Sequence, residues 1–121
     1  MEQLQENIQE LLHRLGATEN YTGYQYMVQA LLLCLENPNR LQMITKWLYP
    51  DVAKRYKTTW TAVERNIRTL GRVIWRENQP LLEILARKPL SHQPSVAQLL
   101  SILSYNLRVQ FVASSSPLGQ A

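Results

Sequence analysis

Between Thr59 and Arg76 the chain reads TWTAVERNIRTLGRVIWR and gathers Glu64, Arg65, Arg68, Arg72 and Arg76. The chemistry these residue types offer is recognition of nucleic acid. An arginine fork donates to O6 and N7 of guanine together, and a carboxylate accepts from the N4 amino group of cytosine. A carboxylate in a surface meant only for phosphates would be unfavourable. Glu64 beside Arg65 therefore points to base edges. The competing reading is an ordinary surface pair between Glu64 and Arg68 at i, i+4.

On a helical wheel at about 100° per residue, Ile67, Leu70 and Ile74 fall within roughly 40° of Val63. Thr61, Glu64, Arg65, Arg68 and Arg72 fall roughly 100° to 200° away. One face is apolar and the other carries the charge. Glu64, Arg65 and Arg68, with Thr61 on the same face, are the candidate base contacts. Arg72 and Arg76 further along, and Lys54, Arg55 and Lys57 before the helix, suit phosphates. Trp60 faces either a sugar or thymine methyl group, or else packs on the preceding helix or a second copy.

Residues 50–76 read as the elements that position these groups: a short helix, a tight turn, and a longer basic helix over about 60–76. That is the layout of a helix-turn-helix. Ala53 supplies the small residue where two helices cross, Val52 and Tyr56 face inward, and Val63 packs back four residues after Thr59. Thr58 or Thr59, preferably Thr59, caps the second helix. Lys57 stands where such turns often have glycine. Charge is concentrated here too. Residues 46–76 carry eight basic side chains against two acidic ones, whereas residues 1–45 carry two against five. This is either the footprint of a nucleic-acid binder or a solvated basic face.

The rest of the chain has helical period throughout. Leu4, Ile8, Leu11, Leu12 and Leu15 form a stripe closed by Gly16. Thr22 is positioned to cap a second helix to about Glu36. Asn37 and Pro38 open a third, carrying Leu41, Ile44 and Leu48. Asn78 to Pro80 break the chain before a short helix through Leu81, Leu82 and Leu85. Residues 88–94 form a loop, and Pro94 or Ser95 starts a last helix through Leu99, Leu100, Leu103 and Leu107. Trp47 and Trp75 are expected to anchor the core. The expectation is an all-α fold, a compact bundle of about six to seven helices in one domain over residues 1–111, with 112–121 a disordered tail.

Composition narrows the function classes. Cys34 is the single cysteine. It lies in an apolar run, which predicts a buried thiol, precludes an internal disulfide and points weakly to a reducing compartment. His13 and His92 have no visible ligand or triad company and no glycine-rich phosphate loop is present, so no enzyme, metal site or cofactor is expected. The acidic N-terminus is unlike a signal peptide, and no apolar run approaches the ~20 residues of a membrane span.

These residues match a known pattern. LHRLG at 12–16, GYQY at 23–26, ITKWLYPDVAKRYKTT at 44–59 and VERNIR at 63–68 with Trp75, and more loosely LRVQFVAS at 107–114, make the chain resemble the C-terminal DNA-binding effector domain of the stage 0 sporulation protein A family. The resemblance implies a helical domain that binds double-stranded DNA at short promoter boxes, often as two copies, and that contacts RNA polymerase, with its sigma subunit as a candidate partner. It implies a cytoplasmic bacterial regulator. It places base contacts on Glu64, Arg65 and Arg68, and hydroxyl or basic phosphate contacts near Thr59, Thr61 and Lys54. The chain departs from the family at Ala62, Asn66 and Thr69, and its segment between Trp75 and Pro94 is shorter. Without a receiver domain ahead of the match, phosphorylation control on this chain is not expected. A protein-interaction module that antagonises a full-length regulator or polymerase without reading DNA is the alternative. The apolar last helix, with Tyr105 and Phe111, predicts a homodimer on DNA.

Overall fold

A computed structural model describes the backbone of residues 2–115 and the side chains of residues 2–110. The described residues are helical with no strand. α1 (Glu2–Arg14) buries Ile8 and Leu12 and stops at Gly16, whose φ is 90°. There Gly16 N–H donates to the His13 carbonyl at 3.0 Å and Ala17 N–H to that of Leu12 at 2.8 Å. This pairing satisfies carbonyls that a helix end leaves open, and it requires a left-handed residue. α2 (Gly23–Glu36) follows. Thr22 stands at its N-cap but is itself helical and makes no side-chain cap. The preceding turn already uses the Tyr24 N–H, which donates to the Tyr21 carbonyl at 3.0 Å.

The third helix expected over 38–48 is two short turns instead. Asn37 accepts from Asn39 N–H and Pro38 opens a 3-10 turn over Pro38–Gln42. Met43, at φ −133° and ψ 48°, breaks the path, and a π turn over Ile44–Leu48 runs into α3 (Tyr49–Arg55). The break lets Leu48 reach the core while Trp47 stays outside, 36% exposed. Trp47 is therefore no core anchor. The Arg40 guanidinium sits 5.1 Å from its ring centroid. Trp75 does pack against the core.

α4 (Trp60–Ala86) consists of two helical stretches joined end to end at a kink at Asn78, whose φ of −152° and ψ of 61° are not helical. The expected break is real: the path leaves the helix at Asn78 and a second helical stretch, carrying Leu81, Leu82 and Leu85, runs on from there to Ala86. Asn78 leaves the helical region, accepts from Leu81 N–H at 3.2 Å and donates to the Arg14 carbonyl at 2.8 Å. One side chain thus restarts the helix before Pro80 and ties it to the end of α1. With the third helix dissolved and α4 counted as one element across its kink, the α-helices among the described residues number five rather than six or seven. α5 (Val96–Ser115) starts from a reciprocal cap, Ser95 N–H to Gln98 Oε1 at 2.9 Å and Gln98 N–H to Ser95 Oγ at 3.2 Å. Most of the tail expected to be disordered lies outside the described residues.

The core draws on every helix. α2 packs most extensively on α4, and α3 and α5 also pack on α4. Leu99, Leu100, Leu103 and Leu107 are all buried, so the bundle absorbs the leucines expected to drive dimerisation. Cys34 is buried as expected, and its thiol is pushed up to about 11 by burial, with Arg40 and Arg108 pulling partly back. No helix among the described residues is long and apolar enough to cross a membrane.

Candidate nucleic-acid interface

The turn between α3 and α4 is built from the residues the sequence offered. Tyr56 ends α3, and Lys57 takes the left-handed conformation at φ 52°. Thr58 N–H donates to the Ala53 carbonyl at 3.0 Å, and Lys57 N–H to that of Lys54 at 3.4 Å. This is the same closure that Gly16 makes after α1, here formed with a side chain present. A left-handed residue other than glycine costs about 1–2 kcal/mol, so Lys57 holds the turn at some expense of stability. Thr59 then caps α4, its Oγ accepting from Ala62 N–H at 3.1 Å and lying 3.1 Å from Thr61 Oγ.

α4 divides as its wheel demands. Val63, Ile67, Leu70 and Ile74 are buried. Thr61, Arg65, Arg68, Arg72 and Arg76 are exposed and Glu64 is half-buried. The helix is held in place by close backbone approach. A Cβ on Gly23 would lie 2.2 Å from the Asn66 carbonyl oxygen, so α2 meets α4 at a point that admits no side chain.

Glu64 and Arg68 pair at 3.4 Å, as the surface-pair reading foresees. Both lie beside Tyr49, a buried residue in the first turn of α3. Burial, then the Glu64 charge, pushes the Tyr49 phenol up to about 12, with Arg68 acting the other way. Arg68 also borders a cleft of about 240 Å³ with Tyr49, Gly71, Gln93, Pro94, Ser95, Val96 and Leu99. The start of α5 thus flanks the charged face of α4. Nothing local in the sequence could reveal this, since Gln93 lies far along the chain from Arg68.

The other candidates divide. Lys54 and Lys57 are exposed at the end of α3 and in the turn, and Arg72 is one turn beyond Arg68. Arg55 instead lines a second cleft, of about 510 Å³, with Gln25, Gln29, Glu36 and Tyr56, so it faces α2 rather than the α4 row. Arg76 donates from Nε to Glu77 at 3.0 Å, and its bonds to Glu77 and then Tyr21 push it further up. It lies about 16 Å beyond Arg65 along the axis at 1.5 Å per residue. Thr61, Glu64, Arg65, Arg68 and Arg72 therefore form one row, with Thr59, Lys54 and Lys57 at its start and Arg55 and Arg76 apart from it.

Among the described residues no cluster of three or more His, Cys, Asp or Glu could hold a metal ion. One pairing escaped the sequence reading: His13 Nε2 lies 2.6 Å from Glu19, with both side chains largely exposed. It pins the end of α1 to the loop before α2.

Residues 8–107 match the family model described as sporulation initiation factor Spo0A C terminal. The match runs from α1 into α5 and contains the whole α3–turn–α4 unit. The family is one of DNA-binding regulatory domains and not of enzymes. The chain belongs to this family of C-terminal DNA-binding domains of the sporulation initiation factor Spo0A.

Proposed function

We propose that the chain is a sequence-specific transcriptional regulator of sporulation type, in which α3, the turn and α4 act as a helix-turn-helix on double-stranded DNA. The observation that carries this reading is the exposed row Thr61, Glu64, Arg65, Arg68 and Arg72 on α4, opposite its buried stripe. The N-terminal half of α4 enters the major groove of a promoter box. Arg65 and Arg68 donate to guanine, Glu64 accepts from cytosine, and Thr61 meets the base edge nearest the helix start. Lys54, Lys57, Thr59 and Arg72 take phosphates, with Arg55 and Arg76 reaching the outer backbone.

The Glu64–Arg68 pair does not oppose this. An exposed i, i+4 pair contributes about 0.3–0.5 kcal/mol, whereas a bidentate arginine–guanine contact contributes about 1–3 kcal/mol. Exchanging one for the other favours DNA.

A polymerase subunit such as sigma is the partner through which a bound regulator of this type acts. Two copies on adjacent boxes would meet through the surface left on α5, where Tyr105 is 48% and Val109 is 41% exposed. The test of DNA binding is a gel shift across salt concentrations on promoter-type duplexes. Three to five neutralised phosphates give a log–log slope of about −3 to −5. A slope near zero, or equal affinity for a scrambled duplex at every salt, overturns the proposal.

A further inference from the structure

Trp60 is the first residue of α4, directly after the cap Thr59. The apolar residues that follow it, Val63, Ile67, Leu70, Val73 and Ile74, are buried, yet Trp60 is 42% exposed. The other two tryptophans are engaged: Arg40 covers Trp47, and Trp75 packs on the core. Among the described residues no aromatic ring or cation stacks on Trp60. Leaving so large an apolar surface in water is unfavourable by roughly 25 cal/mol per Å², so the free protein gains nothing from that part of the ring.

Its position gives the exposure a use. Trp60, Glu64, Arg68 and Arg72 follow one another at four-residue intervals. Each step advances about 6 Å along the helix and turns about 40° around it. Trp60 therefore stands one turn ahead of Glu64, about 60° around the helix from Val63, at the border between the buried stripe and the charged face and at the helix N-terminus, the end of a recognition helix that meets base edges. Six ångströms is close to two base-pair steps of about 3.4 Å. The row beyond Trp60 is equipped for guanine and cytosine. The apolar group displayed in the major groove is the thymine C5 methyl, and an indole ring can cover it.

We propose that Trp60 is a specificity-determining residue that covers the C5 methyl of a thymine at the edge of the box, about two base pairs from the pair read by Glu64. This rests on the DNA-reading function proposed above. The contact adds an A·T requirement that the arginines and glutamate do not supply.

The test uses the full chain and a duplex enriched by it from a randomised double-stranded library. Each thymine is replaced in turn by deoxyuracil, which removes only the methyl group. Wild type is expected to weaken about fourfold at one thymine, the fold-change for one buried methyl-sized group. Trp60→Ala is expected to bind that duplex more weakly and to lose the methyl dependence, while Trp60→Phe keeps part of it. Circular dichroism confirms that both variants fold. The proposal is overturned if no thymine shows methyl dependence in wild type, or if Trp60→Ala keeps it. It is also overturned if Trp60→Ala weakens specific and random duplexes alike, which marks a sugar–phosphate contact. If wild type enriches no duplex, the DNA-reading function itself fails, an outcome visible without any variant.

Discussion

Replacing Gly23 by alanine tests how the reading helix is held. The new Cβ would sit 2.2 Å from the Asn66 carbonyl oxygen and 2.8 Å from its carbon. Both are backbone atoms inside α4, so no side-chain rotation relieves the clash, and α2 must withdraw by about 1 Å to reach ordinary contact. Overpacking of this kind costs about 1–3 kcal/mol, and the better helix propensity of alanine returns less than 1 kcal/mol. For 121 residues the unfolding entropy is about 250 cal/mol/K, so each kcal/mol lowers Tm by about 4 °C. The net cost of about 0.5–2.5 kcal/mol corresponds to a fall of about 2–10 °C in a calorimetric scan. Asn66 lies between Arg65 and Arg68, so retreat of α2 also re-aims the charged row. DNA affinity should then drop even at temperatures where the variant is fully folded. A Gly23→Ala protein with unchanged Tm and unchanged affinity would refute the close-approach account.

Two further outcomes follow from local geometry. Lys57→Gly removes the left-handed strain in the turn and should raise stability by about 0.5–1 kcal/mol, after the greater freedom of glycine in the unfolded chain is counted. The same change should flatten the salt dependence of DNA binding by about one unit of slope, because a phosphate contact is lost. Urea unfolding paired with gel shifts reads both effects, and a variant that moves neither contradicts the assignment. Cys34 makes stability depend on pH at the alkaline end. The unfolded thiol ionises near 9 and the folded one near 11, so the unfolded chain loses its proton first. Stability is complete below pH 9 and declines as pH rises toward 11, by at most about 2–3 kcal/mol. Urea midpoints at pH 8 and 10.5 should show a larger decline in wild type than in Cys34→Ala; equal declines would remove Cys34 as the cause.

The parts of the fold that follow from short-range chemistry were legible in the chain. Thr59, Gly16, Asn37 and Ser95 act as caps because each meets a neighbour within a few residues. The stripe Val63, Ile67, Leu70 and Ile74 is buried because a period of 3.6 allows no other face. Where distant contacts decide, local spacing does not predict the path. Leu41, Ile44 and Leu48 have helical spacing, but Met43 breaks the segment, and Trp47 lies at the surface beneath Arg40, which is bonded to the Leu33 carbonyl at 3.1 Å. The long last helix looked too apolar for one chain, yet its four leucines fit between α2 and α4. Gly23 looks like any helix-start glycine until α4 lies against it. The charged row itself was readable from the sequence. Its flank was not, because Tyr49 and Gln93 reach Arg68 only through the tertiary fold.

The central claim is that α4 reads bases and does not merely lie on phosphates. Its most direct test compares Arg65→Ala with Arg72→Ala on a set of duplexes covering every single-base change in the preferred box. Arg65→Ala should weaken binding by about 1–3 kcal/mol and relax the preference at one base pair, while Arg72→Ala should weaken all duplexes alike. An Arg65→Ala protein with unaltered affinity and unaltered base preference would contradict the account.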